Sequence, residues 1–232
     1  MKTKILAVGP HPDDIEFGCA PVLIQEVRGG SDVRILVLTK GEASTSGTPE
    51  QRAEEARAAA QVMGAGIEFL EMGGDCHLRQ DTQSAVAIAR EIRRFEPEIV
   101  LAPHPDENQH PDHVVASKLV RDATRLARYG GLEELRSLPR HAIGHLYFYS
   151  ITQTFLPAPD IVIDVSSIES DWERAIACHQ SQMQTKAYLK LVQTRARALG
   201  ATIGVNSAVG LWANDPIRLH RLSDLTLSSR NY

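Results

Sequence analysis

Two short runs of the chain, His11-Pro12-Asp13-Asp14 and His110-Pro111-Asp112-His113, each place imidazoles and carboxylates within four residues of one another. That donor set holds a divalent cation well, and the proline in each run stiffens its turn. In the first run His11 and Asp14 can point inward together. The second run leads into a helix, where residues three apart share a face, so His110 and His113 project to the same side. A related cluster, His104-Pro105-Asp106-Glu107, stands just before it. Taken singly, either run reads equally as a surface turn. The case for a metal role is that both follow strand-like segments, the context such a motif requires.

Imidazole nitrogen and carboxylate oxygen, with positions left for water, suit catalytic zinc (Zn2+). Ferrous iron (Fe2+) can use the same set, whereas calcium would want more oxygens. The three cysteines, Cys19, Cys76 and Cys178, have no CxxC spacing. They read as buried or free thiols in a reducing compartment, forming neither a disulfide framework nor a thiolate zinc site.

These runs must be positioned by elements that the hydropathy pattern predicts. Apolar strands are expected at 5–8, 33–38, 67–70, 99–102, 146–149 and 161–163. Helices are expected at about 21–28, 49–63, 83–95, 113–127, 167–178 and 185–199. Thr48-Pro49-Glu50 supplies a cap, a first-turn proline and an early acid. The stretch 41–49, rich in Gly, Ser and Thr, is a loop that could close over a substrate or simply connect two elements. After Gly200 the pattern turns irregular, with Trp212 and Pro216 expected to pack on the main body. Alternating strands and helices imply an α/β, Rossmann-like fold, a mostly parallel sheet with helices on both faces. The whole chain, 1–232, is expected to form one domain. In open parallel sheets ligands bind beyond the carboxyl ends of the strands, and both runs lie there.

The chain of 232 residues is 43% hydrophobic and 23% charged, with a formal net charge of −4. It can bury a sizeable core and is not disordered. With no basic patch, nucleic acid is not expected as a partner. The apolar run near the N-terminus is too short for a signal core or a membrane span, so a cytoplasmic protein without a membrane partner is expected.

The chain resembles the family of N-acetylglucosaminyl-phosphatidylinositol deacetylases and LmbE-like proteins. The resemblance rests on His11-Pro12-Asp13-Asp14 with Glu16 and on His110-Pro111-Asp112-His113. It is supported by Arg52 with Glu55 and by Asp164, His179 and Ser181-Gln182. It runs from Lys4 to about Gly204 and looks most like the bacterial branch that deacetylates N-acetylglucosaminyl malate in bacillithiol synthesis. Ala20-Pro21, Trp172, Asn108 and 206–214 depart from that branch's pattern.

The resemblance implies metal ligands His11, Asp14 and His113, an amino-sugar conjugate as the small-molecule substrate, and a homo-oligomer. Asp13, adjacent to Asp14, would be the general base, because a base must reach the water it activates. His110 would face the tetrahedral intermediate as an imidazolium. Asp112 would orient His110 and favour its charged form, or else merely cap the helix. Arg52 is a candidate substrate contact through its planar fork, or a helix residue paired with Glu54 or Glu55. Asn108, where other branches place a tyrosine, is a second candidate contact. Glu16 is expected to support a ligand histidine. The competing readings are another metal hydrolase, such as a phosphoesterase, and a non-catalytic carbohydrate- or nucleotide-binding domain.

Overall fold

The computed structural model describes residues 2–152, 156–183 and 187–224. Strand β1 (Lys4–Gly9) runs into a single-turn helix α1 (Asp14–Gly18) and then α2 (Ala20–Arg28). There follow β2 (Asp32–Val37), α3 (Pro49–Met63), β3 (Gly66–Phe69), α4 (Thr82–Phe95), β4 (Ile99–Pro103), α5 (Pro111–Ala127) and β5 (His145–Tyr149). β6 (Ile161–Asp164) leads to α6 (Glu169–Ala177), α7 (Gln180–Met183), α8 (Tyr188–Thr202) and β7 (Ala208–Ala213).

Local chemistry sets several of these boundaries. Thr48 accepts the Gln51 N–H at the start of α3, and Gly64, at a left-handed φ of 74°, ends it. Asp81 caps α4 by accepting from Ser84 N–H. The expected helix start at Thr185 lies outside the described residues, and α8 is described from Tyr188.

The sheet order is β3-β2-β1-β4-β5-β7-β6. β1 to β5 pair in parallel, and β7 lies antiparallel between β5 and β6. The α/β, mostly parallel architecture is therefore as expected. The stretch after Gly200 is not irregular throughout, because it supplies β7. Gly210 hides that strand by breaking the apolar pattern: a Cβ there would press on the Pro159 ring at 2.9 Å.

Strand alternation sorts the core into two layers. Ile5 and Ala7 of β1 pack with α2, α6 and α8 residues such as Leu23, Trp172 and Val192. Leu6 and Val8 pack on the other face with α4 and α5 residues such as Ile88, Ile92 and Leu119. Among the described residues no helix is long and apolar enough to cross a membrane.

On the second face Arg93 of α4 is buried and donates to the carbonyls of Ala127, Tyr129, Leu135 and Leu138 at 2.5–3.0 Å. It thereby satisfies the C-terminal end of α5. Arg93→Ala strands these acceptors. We expect it to lower unfolding stability by about 3 kcal/mol in a denaturant titration, the upper range for charged hydrogen bonds.

The feature that builds the site is the reversal of strand order at β1, which has β2 on one side and β4 on the other. The loops after β1 and β4 leave the sheet side by side, forming the crevice where α/β sheets bind ligands. Those loops carry the two His-Pro-Asp runs.

Candidate metal centre

Asp14 is the first residue of α1, and its carboxylate is divided between two imidazoles. His11 Nδ1 stands 3.1 Å from Oδ2, and His113 Nε2 stands 3.3 Å from Oδ1. The His11 N–H also donates to Oδ2 at 2.9 Å. All three residues are buried. Burial acts to raise the Asp14 carboxyl, but His113 and His11 outweigh it and hold the group far below the carboxylate range. Burial likewise lowers His113, yet Asp14 lifts it to about 9. The position between these groups is an electrostatic well for positive charge.

The surroundings of each imidazole fit a dication there. His11 turns Nε2 toward Asp75 Oδ1 at 3.2 Å and Asp112 Oδ2 at 3.3 Å. His113 turns Nδ1, buried and with no closer hydrogen-bond partner among the described residues, toward Glu107 Oε2 at 4.0 Å. Ligand histidines characteristically give their second nitrogen to a carboxylate. Glu107 is itself fixed by the Ser150 hydroxyl at 2.9 Å and the Ile151 N–H at 2.7 Å. Glu107→Gln should weaken metal affinity by about 10–100-fold, the usual effect of losing such an outer partner. Chelator competition measures this.

Asp13 lines the same pocket, of about 220 Å³. Its backbone is left-handed at φ 104°, a conformation that costs on the order of 1–3 kcal/mol and clusters at functional sites. Burial and the Asp14 charge lift its carboxyl to about 7, against the opposing pull of Arg52, His179 and His11. Arg52 of α3 does not pair with Glu54 or Glu55. It gives its guanidinium to the Pro12 carbonyl at 2.8 Å, the Gly41 carbonyl at 3.1 Å and Asp13 Oδ2 at 3.4 Å. Gly41 is required for this close approach, since a Cβ would overlap the guanidinium. Arg52 thus lines the pocket and ties Asp13 and its turn to the 41–49 loop, while its Nε–H has no hydrogen-bond partner among the described residues. Glu55 instead accepts from Ser181 N–H at 2.9 Å and its hydroxyl at 2.6 Å.

His110 faces the pocket, with its ring centroid 4.5 Å from that of His11. It is the N-cap of α5, because its Nδ1 accepts the Asp112 N–H at 3.2 Å. That bond places the ring proton on Nε2, which points to Asp75 Oδ1 at 3.3 Å. Two expectations change here. The Asp112 carboxylate neither orients His110 nor caps the helix: it meets His11 and accepts the Cys76 N–H at 2.8 Å. Asp112 does pull His110 toward its charged form, as Asp75 does, but burial and the charges of His11 and His113 outweigh both and push the imidazole below its ordinary value.

Asn108 is exposed and does not line the pocket; its neighbour Gln109 does. Glu16 supports His179, at 3.4 Å, rather than a ligand histidine. Gln182 Nε2 donates to the Ser46 carbonyl at 2.7 Å, pinning the 41–49 loop whose Ser44 and Thr45 line the pocket. A second cavity, of about 300 Å³, lies between α8 and β7. Its lining is mainly apolar, with Trp172, Leu199 and Val209 beside Arg195 and Ser150, and holds no cluster of imidazoles and carboxylates. Two residues with a clear place at the centre, Asp75 and Glu107, were absent from the expected set. Glu107 was visible in the His104 cluster, whereas Asp75 sits in Gly73-Gly74-Asp75 with no motif around it.

The chain is similar to several known proteins. A 4-oxalmesaconate hydratase of Pseudomonas putida is 26% identical over 170 residues, covering 73% of this chain and 66% of its own length. A diacetylchitobiose deacetylase of Thermococcus kodakarensis is 29% identical over 192 residues, covering 77% and 70%. The crystal structure of a conserved protein from Thermus thermophilus superposes with a TM-score of 0.85 at 28% identity, covering 94% of this chain and 97% of that one. The family model for the GlcNAc-PI de-N-acetylases (PIG-L) matches residues 6–124. That span holds both His-Pro-Asp runs and makes up just over half of the sequence. The chain belongs to the GlcNAc-PI de-N-acetylase (PIG-L) family of deacetylases.

Proposed function

We propose that the protein hydrolyses the N-acetyl group of an N-acetylglucosamine conjugate, releasing acetate and a free amine, with zinc held by His11, Asp14 and His113. One observation carries this reading. Two imidazoles converge on the two oxygens of one buried carboxylate, in a pocket that also presents Asp13 and His110. A bound zinc would supply Lewis acidity, polarising the amide carbonyl and lowering the pKa of a water toward ~7.

The chain's own groups account for the proton transfers. Asp13, held by Arg52, takes the proton of the attacking water and passes it to the amine nitrogen as the C–N bond breaks. His110 carries its proton on Nε2, which rests against Asp75 in the free protein and is the donor available to the oxygen on which negative charge develops. Asp75 keeps that ring aimed into the pocket. Asp112 and Glu107 orient the two ligand imidazoles from behind.

Within this class, N-acetylglucosaminyl malate is the conjugate proposed for the first assay. Zinc-loaded protein is offered that glycoside, diacetylchitobiose and other N-acetylglucosamine conjugates, and amine and acetate are measured together. Equal release of the two, abolished by a chelator and restored by zinc, is the expected result. The hydratase relative gives the opposing arm. Addition of water to 4-oxalmesaconate, with no amine released from any conjugate, would overturn the reading.

A further inference from the structure

The donor atoms at this centre outnumber what one cation needs. Donors of His11, His110 and His113 lie within 4.8 Å of one another, and so do donors of His11, Asp75, His110 and Asp112. At the outer edge of that group stands Cys76. Its side chain is exposed, and its backbone is left-handed at φ 65°, held by the N–H bond to Asp112. The preceding Asp75 is buried and anchored through its own N–H to Glu42 at 2.8 Å.

Three of these side chains form a triangle. Cys76 Sγ is 3.5 Å from Asp75 Oδ1 and 3.5 Å from His110 Nε2, and His110 Nε2 is 3.3 Å from Asp75 Oδ1. Tetrahedral zinc bonds sulfur at ~2.3 Å and nitrogen or oxygen at ~2.0–2.1 Å, which sets donor–donor separations of about 3.3–3.6 Å. Sulfur, nitrogen and oxygen donors are thus already spaced as one face of a zinc tetrahedron, with the exposed side of Cys76 leaving a path from solvent. We propose that Cys76, Asp75 and His110 form a second zinc-class cation site at the mouth of the pocket, separate from the His11–Asp14–His113 set.

Its exposed position makes this the weaker of the two sites, because solvent screens charge there more than at the buried Asp14. Binding releases the Cys76 thiol proton to solvent. It also moves the His110 ring proton from Nε2 to Nδ1, which gives up the long cap bond from Asp112 N–H. The site therefore fills only when zinc exceeds one equivalent. Once filled, it removes the Nε2–H donor from the pocket, so excess zinc inhibits. The inhibition rests on the role given to His110 above; the binding does not.

Binding is therefore read without turnover. Protein carrying one equivalent of zinc is titrated with Cd2+ while the ultraviolet thiolate-to-metal band is followed and total metal per chain is measured. The parent and Cys178→Ser, which keeps Cys76, should each gain one equivalent and the band. Cys76→Gly, which suits the left-handed backbone, should keep the first equivalent and gain neither. Assayed against its own rate at one equivalent, Cys76→Gly should need at least about 10–100-fold more zinc for half-inhibition, since even outer-partner losses weaken metal binding that much. A second equivalent bound equally by Cys76→Gly, or a parent without the band, overturns the site. Band and second equivalent without inhibition would keep the site and sink the role of His110.

Discussion

Asp13→Asn is expected to keep the parent's zinc content and to release amine about 10²–10⁴-fold more slowly, the range over which a positioned general base acts. Asparagine tolerates the left-handed backbone at this position about as well as aspartate does, so the turn should survive. It also keeps an oxygen for the Arg52 guanidinium, which stands 3.4 Å from Asp13 Oδ2. What it loses is the capacity to take a proton. Metal analysis and steady-state rates on the same sample separate the two roles of the Asp13-Asp14 pair: Asp14 should govern metal content and Asp13 only the rate. Parent-like turnover of Asp13→Asn would remove Asp13 from the chemistry. A parallel loss of zinc would make it part of the metal site instead. Arg52→Met offers a second view. It leaves the base in place without its restraint, so its rate should fall with zinc retained, while Asp13 and Arg52 together should lose less than the sum of their separate effects.

The legibility of this protein follows the strength of each local signal. α3 runs from Pro49 to Met63 as the sequence suggests, because a threonine cap, a first-turn proline and a terminal glycine all mark it. α1 has five residues, too few for any periodicity, and it escapes notice although it carries Asp14. The two His-Pro-Asp runs are visible because their residues are contiguous and each follows a buried strand. Their shared site needs only the strand reversal at β1.

Side-chain direction is less accessible to sequence reasoning. Spacing suggests that Asp112 serves His110, its neighbour two residues away. In the fold His11 arrives from the β1 loop and takes the carboxylate. Asn108 and Gln109 sit in one turn, where no period tells which of the two faces the pocket. Asp75 reaches the centre only because the loop after β3 folds over it, tied by Glu42 and by the Cys76–Asp112 bond. For the same reason Cys76 reads as an ordinary thiol until its spatial neighbours are known.

Asp14→Asn should be the most damaging of the conservative changes. The carboxylate supplies both oxygens that meet the two imidazoles, and its negative charge is what draws a dication into a buried position. The amide keeps the shape and one oxygen but carries no charge, and its NH2 would face either His11 or His113. Zinc affinity should therefore fall by well over the 10–100-fold expected for Glu107→Gln, which only loosens His113 from behind. Turnover should vanish with the metal. Thermal unfolding gives an independent reading. Zinc at 100 times its dissociation constant stabilises the parent by about 2.7 kcal/mol through binding alone, so added zinc should raise the parent's melting temperature and leave that of Asp14→Asn unmoved. The order of affinities, parent above Glu107→Gln above Asp14→Asn, tests the centre as built from inside outward. An Asp14→Asn protein that binds zinc as tightly as Glu107→Gln would place the cation elsewhere.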